Sequence, residues 1–497
     1  GSGGPPPTPP SPTRAPDTLN SRQFASIQDL LSEGEIEGFA TPSKAGLTKG
    51  TTAYNNAALK DIFLNDTPIL NSNASNTNPQ TSDFNFQNVG FTPRFGTSNQ
   101  EHIPGIESSQ STTAVGVTVT TSSPVTRQIT NTNVDAVKVT ITFPQLQKAT
   151  DQGDLLGSSV QLKIQVQYNS GGFSDVLSDT ITGRTADAYQ KEYRVNITGA
   201  FPVDIRVVRI TADSTSSSLV DAFTWTSLGE IIDDKQRYLN SAYTNLRIDS
   251  EQFSSIPKRA FRIRGVKVRI PGAGASNSGT PTVDLQTGRI IYPSGYIFNG
   301  TLGAAQWCSD PAMILLDLLT TERYGFGTHI TDSNLDLFSF VAASRYANEL
   351  VSDGFGGQEA RFSCNVNLQG SMEAYTLINE LAGVMRCFPI WSEGSVTITQ
   401  DKPTDPSYLF SLANVGEGGF SYSGSSLKQR HTVISVSYFN MDSREIDYEV
   451  VEDTAAQAKL GIVKKDVKAF ACTSRGQAQR LGKAILFSEQ NESEVIS

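Results

Sequence analysis

Between residues 124 and 224 apolar and polar side chains alternate. Val137, Val139, Ile141 and Phe143 make one run, and Val160, Leu162, Ile164, Val166 and Tyr168 another. A period of two marks a strand half-buried on one face. Asn169, Ser170, Gly171 and Gly172 supply a hairpin turn, and 205–210 reads as a further strand. The stretch 124–224 is therefore expected to be an inserted β-sandwich. Before it, Ile27, Leu30 and Leu31 have helical spacing, and 59–64 is a short strand closed by Asn65, Asp66, Thr67 and Pro68. Residues 71–123, rich in Ser, Thr and Asn, read as long loops or an extended edge. At 261–270 the apolar phase slips, from Phe261 and Ile263 to Val266, Val268 and Ile270, which predicts a β-bulge at Gly265.

Helical patterns appear only after residue 300. Asp310 and Pro311 supply an N-cap and a first-turn proline ahead of an almost wholly apolar helix. Ser333 and Asp336 form a capping-box pattern before a second helix. Ala374, Leu377, Ile378, Leu381 and Met385 line one face of a third, and a last helix starts at Ser474 with Gln477 three residues on. Strands are expected at 396–399 and 433–438, so the second half is α+β.

Composition agrees with a chain of several domains: 497 residues, 37% hydrophobic and only 18% charged. A net charge of −10 argues against a broad nucleic-acid-binding surface and suits a wall past which DNA slides. Lys258, Arg259, Arg262, Arg264, Lys267 and Arg269 form one basic stretch, 258–269. It reads either as a contact to DNA or an acidic partner, or as a solvated strand face. Cys308, Cys364, Cys387 and Cys472 are too widely spaced for a zinc site or disulfide framework and read as buried reduced thiols. No run is long and apolar enough for a membrane-spanning helix, so stable membrane insertion is not expected, and residues 1–16 lack the apolar core of a signal peptide. Residues 1–20 read as a flexible Gly/Pro-rich arm.

No catalytic constellation emerges. His102, His329 and His431 stand alone, and there is no nucleophile elbow, phosphate loop or dinucleotide fingerprint. The glycines of 353–357 lack the lysine of a phosphate loop and read as a tight turn. Glu33, Glu35 and Glu37, with Glu449, Glu452 and Asp453, could be imagined as glycosidase acids but read as solvated turns. No catalytic, cofactor-binding or metal-binding residue is assigned, no cofactor is expected, and the chain is not expected to be an enzyme.

One resemblance runs through almost all of 21–497, in order. It begins at Ala15-Pro-Asp-Thr-Leu and continues through SIQDLLSEGEIEG (26–38), LKDIFLNDTPIL (59–70), VTRQITNTNVDAVKVTITFPQL (125–146) and the stretch 210–253. In the second half it includes DLLTTERYGFG (317–327), DGFGGQEARFSCNV (353–366), GVMRCFPIW (383–391), VVEDTAAQAKLG (450–461) and AFACTSRGQAQRLG (469–482). These stretches resemble the phage tip attachment protein J family, the central tail-tip hub and host-specificity proteins of long non-contractile tails. The resemblance implies a β-rich α+β multidomain chain with tail-tube-like β-barrel hub domains, an inserted β-sandwich and a helix-containing second half. Its expected domains are the arm 1–20, a first barrel from 21–123 plus 225–270, the sandwich 124–224, an α+β hub domain 271–400, and a second tube-like region 401–497 continuing beyond the chain end.

The implied function is a homotrimeric virion hub, assembled in the host cytoplasm, that closes the tail tube and forms the passage for DNA ejection. Distal tail and tip proteins and the tape measure protein would be its partners. A host receptor would be reached through a C-terminal fibre absent from this sequence, with DNA only in transit. Trp225 and Trp391 are expected as core anchors. A free-standing adhesin or carbohydrate-binding module is the alternative, from the sandwich and the uncharged polar composition.

Overall fold

The computed structural model describes residues 12–21, 23–370, 372–392, 394–416, 419–424, 430–491 and 494–496. The chain is β-rich and multidomain, with two compact units: Gly1–Leu31, Ile62–Ser75 and Pro79–Ala260 in one, Ser32–Asp61, Asn76–Asn78 and Phe261–Ser497 in the other.

The sandwich dominates the first unit. One four-stranded sheet has the order Ser174–Gly183, Ser158–Tyr168, Val203–Arg209, Val125–Ile129, and the other Tyr189–Asn196, Ala136–Phe143, Thr224–Asp233, Glu107–Thr118. The alternating residues of both sheets face each other: Val160, Leu162, Ile164 and Val166 on one side, Val137, Val139, Ile141 and Phe143 on the other, all fully buried. Asn169 and Ser170 adopt positive φ in the hairpin between Ser158–Tyr168 and Ser174–Gly183, the backbone a tight hairpin needs. The strands run from Glu107 to Asp233, because Glu107–Thr118 from the polar region pairs with Thr224–Asp233 as a twelve-residue edge.

Beside the two sandwich sheets, a three-stranded sheet orders Phe24–Glu33, Ser241–Asp249, Gly90–Phe95. The helical spacing at Ile27, Leu30 and Leu31 is thus overruled: Ala25, Ile27, Asp29 and Leu31 form the half-buried face of a strand, and Leu30 is 64% exposed. Pairing to a buried neighbour supplies what local spacing does not encode. The arm expected over 1–20 is not free throughout. Residues 13–19 are bonded to the sandwich, while 1–11 lie outside the described residues.

In the second unit three helices, Pro311–Thr320, Leu337–Ala347 and Ala374–Val384, pack on one core with Val268, Ile270, Ile290 and Ile398. Asp310 caps the first, accepting the Met313 N–H at 2.9 Å, and its buried carboxylate also accepts from Ser344 of the second and from Asn348, which caps that helix's C-terminus. The expected Ser333 box is displaced. Thr331 and Asn334 box a 3-10 turn, and Asp336 itself caps the second helix through the N–H of Phe338 and Ser339. A separate sheet, Glu445–Glu452, Val433–Asn440, Lys464–Lys468, is backed by the Arg475–Asn491 helix. Gln477 leaves the expected cap incomplete by turning its side chain to Ser363.

No bulge occurs at Gly265. Ile263–Val266 pairs in constant register with Ile36–Phe39, so Ile263 and Val266 lie on opposite faces, and the buried phase runs unbroken from Arg264 to Val268 and Ile270. Among the described residues every sheet is open, so the expected barrels do not appear as closed sheets.

The four cysteines are buried. Burial pushes their thiols up, Cys472 to about 11 and Cys364 and Cys387 to about 12. Thiolate, the reactive form, is therefore scarce. Ellman titration at pH 8 is expected to find slow reaction in the native chain and four thiols in denaturant without reductant. Two or fewer would contradict the free-thiol reading.

Candidate assembly surface

The basic stretch is consumed internally. In the first unit Arg259 makes a bidentate pair with Asp29, at 2.7 and 2.8 Å. In the second, Arg262 meets the buried Asp61 at 2.7 Å, Lys267 meets Glu35 at 2.6 Å, and Arg269 grips Asp332 at 2.7 and 2.8 Å. Arg264 is buried against the Trp307 ring. Only Lys258 is exposed among the six. The stretch is neither a free cationic face for DNA nor a simple solvated strand, because Asp29, Glu35, Asp61 and Asp332 neutralise it.

Most of the carboxylates singled out from sequence are likewise engaged in holding the fold. Glu33 pairs with Arg323, and Glu449 with Arg475 at 2.7 Å. Asp453 caps the Thr454–Leu460 helix. In 353–357 the Asp353 carboxylate accepts the N–H groups of Phe355 and Gly357, and Gly354 and Gly356 take positive φ, so this is a turn. His431 contacts Glu489 at 2.9 Å. Among the described residues no three His, Cys, Asp or Glu side chains are grouped to hold a metal ion, and no helix is long and apolar enough to cross a membrane.

What stands out is apolar surface without cover within the second unit. The hairpin of Cys387–Ser392 with Ser395–Gln400 turns Cys387 and Ile398 into the core and leaves Phe388 and Ile390 on the opposite face, 64% and 46% exposed. Trp391 overturns the expectation of burial. It shares the inward face with Cys387 but sits two residues from the hairpin tip, beyond the core, and is 64% exposed. After the hairpin, residues 401–416 contain no helix or strand yet carry Tyr408, Leu409, Phe410 and Leu412, all exposed, the rings of Tyr408 and Phe410 meeting edge-on at 4.9 Å.

The edge strand Glu445–Glu452 repeats the pattern. Val451 and the Glu449 carboxylate turn towards the Arg475–Asn491 helix, while Ile446, Tyr448 and Val450 face out, with Phe439 opposite Ile446 in register. Single exposed apolar residues are ordinary, but concentrated Trp, Tyr, Phe and Leu mark protein-binding surfaces. Reading for catalytic spacings missed this site. The signal was present in the two-residue alternation of Phe388 and Ile390 and in a tyrosine, two leucines and a phenylalanine within five residues of unstructured chain.

A family model described as the FNIII-A domain of tip attachment protein J matches 109–234, the sandwich with its Ser/Thr-rich edge. A second, a putative phage tail protein family, matches 373–497, which holds the whole apolar surface. Tip attachment protein J of Escherichia phage SECphi27 is 32% identical over 86% of this chain, and that of Escherichia phage SECphi4 is 30% identical over 98%. The chain belongs to the tip attachment protein J family. It spans 34% and 40% of the length of those two J proteins. The family is one of phage tail tip proteins. A solved structure described as "CBM4 structure and function" covers 36% of this J-family chain at 12% identity, but with a TM-score of 0.12 it carries no argument.

Proposed function

We propose that this chain is the structural hub of a phage tail tip: a trimer that closes the tail tube, carries the central receptor-binding fibre and forms the passage for DNA ejection. The observation that carries the reading is the uncovered aromatic and aliphatic surface of 388–450. It lies in the segment matched by a phage tail family and has the composition of a subunit interface. Neighbouring copies, distal tail and tip proteins and the tape measure protein are its proposed partners, with the host receptor reached through a fibre.

Three copies reconcile a six-subunit tube ring with a three-stranded fibre if each copy contributes two tube-like barrels. The open sheets around Ser241–Asp249 and Val433–Asn440 would be their unclosed halves. Closed rotational symmetry then buries edges and apolar faces in heterologous contacts. DNA passes without being retained, which fits the internal neutralisation of the basic stretch. The role is structural, with no catalytic step.

Assembly tests it. Light scattering on the purified chain, alone and with its neighbouring tail proteins, is expected to reach three chain masses. Phe388→Ser with Ile390→Ser, and separately Leu409→Ser with Phe410→Ser, should abolish that mass and leave the melting temperature within a few degrees, because exposed side chains contribute little to folding. A stable monomer that binds sugars would favour the adhesin reading, and intact trimers of both variants would remove the apolar surface from the interface.

A further inference from the structure

Residues 13–19 lie along the sandwich as a ligand lies in a site. Ala15 N–H donates to the Leu155 carbonyl and Leu155 N–H to the Thr13 carbonyl, both at 2.9 Å. The Thr13 N–H and hydroxyl both donate to one oxygen of Asp154, at 2.6 and 2.8 Å. At the centre is Arg184, 2% exposed. Its guanidinium donates to the Ala15 carbonyl at 2.7 Å and to the Asp17 carboxylate at 2.6 Å. Its own carbonyl accepts the N–H groups of Thr18 and Leu19, and its N–H donates to the Thr18 hydroxyl. Gly183 is shaped to this segment, since a Cβ there would stand 2.6 Å from the Thr18 hydroxyl and 2.9 Å from Leu19.

The segment itself is scarcely buried. Thr13, Arg14, Pro16, Asp17 and Thr18 are exposed, and only Leu19 packs against the sandwich core. Pro12 and Pro16 hold the backbone extended before it docks. The site thus has a buried cation, a backbone edge and a glycine cut to fit, while its occupant is held by directional polar contacts.

We infer that the groove around Arg184 is a reversible binding site for an extended peptide bearing a carboxylate two residues after the carbonyl it presents, and that residues 13–19 are its built-in occupant, a latch that opens without unfolding the sandwich. Segments held by few apolar contacts open locally, far below the free energy of global unfolding. The exposed Asp17 is the handle by which the latch is loosened while the core stays intact.

Hydrogen exchange on the full chain and its Asp17→Asn variant reads this directly. The amides of Ala15, Thr18, Leu19 and Leu155 are expected to exchange as one group. In the variant they should exchange about tenfold faster, the loss of one charge-assisted bond, with the amides of Ser158–Tyr168 unchanged. A labelled synthetic peptide of residues 12–21 should bind the Asp17→Asn chain saturably and about tenfold more tightly than it binds the unaltered chain, whose own segment competes. Arg184→Lys should weaken that binding, because both contacts are made from Nη1 at the far end of the planar guanidinium, beyond the reach of the shorter lysine stem. Exchange of these amides only together with Ser158–Tyr168, or no peptide binding to the Asp17→Asn chain, would overturn the inference.

Discussion

Trp225→Ala is expected to lower the stability of the sandwich by about 3–5 kcal/mol. The indole is fully buried between the two sheets, in register with Ile141 on the neighbouring strand. Its N–H donates to the Ser227 carbonyl at 2.9 Å, across the register shift that follows Trp225, so the ring's polar end is satisfied inside the core. Alanine would leave a cavity walled by β-branched side chains on paired strands, which cannot collapse into it, and would strip the partly buried Ser227 carbonyl of this donor. Trp391→Ala should change stability by less than about 0.5 kcal/mol, because its ring is mostly in solvent. Denaturant unfolding followed by fluorescence, with acrylamide quenching of each single-tryptophan variant, separates the two. Equal destabilisation, or an accessible Trp225, would contradict the core described above.

The second large effect lies where the basic stretch meets Asp61. That carboxylate is 0% exposed and accepts from the Thr41 N–H at 2.5 Å, the Thr41 hydroxyl at 2.8 Å and Arg262 at 2.8 Å. Burial raises its pKa above the ordinary value, with Thr41 and Arg262 opposing the rise. Arg262→Met removes the cation and should cost about 3 kcal/mol at pH 7, most of it the burden of an uncompensated buried charge.

The pH dependence follows from the direction of the shift. A carboxyl whose folded pKa is raised burdens the fold only when ionised. Its penalty is absent below the unfolded pKa and grows as pH rises through the folded one. Losing Arg262 raises the folded pKa further, so the variant should regain stability relative to the parent as pH falls from 7 towards 5. Paired denaturation curves at the two values check this. A deficit of constant size would assign the loss to the arginine's packing instead of its charge.

Strands with strict alternation were legible. Val160, Leu162, Ile164 and Val166 face the core where a period of two places them, and the Asp310 cap follows from residue type alone. Ile27, Leu30 and Leu31 misled because three apolar residues fit a helix as well as a strand, and the deciding contact, Ser241–Asp249, is more than 200 residues away in sequence. The bulge expected at Gly265 failed for a related reason. The buried phase is kept by Arg264, and a buried arginine reads as a break in an apolar pattern until its distant partner, the Trp307 ring, is known.

Trp391 shows that facing inward is not the same as being covered. The alternation of its hairpin is correct, but the core ends before the tip. The neutralised cations were illegible because Asp29, Glu35, Asp61 and Asp332 are scattered along the chain. The apolar surface was overlooked because no spacing rule flags hydrophobic residues that have nothing to pack against.

The uncovered aromatic side chains of the hairpin and of 401–416 also bear on how such a protein can be produced. They are as available to a wrong neighbour as to the right one, so copies made in excess of their partners meet each other first. The ceiling on soluble chain is then set by stoichiometry of synthesis, whatever the strength of the sandwich core. Supplying the partners early, at matched amounts, should raise yield where stabilising the fold would not.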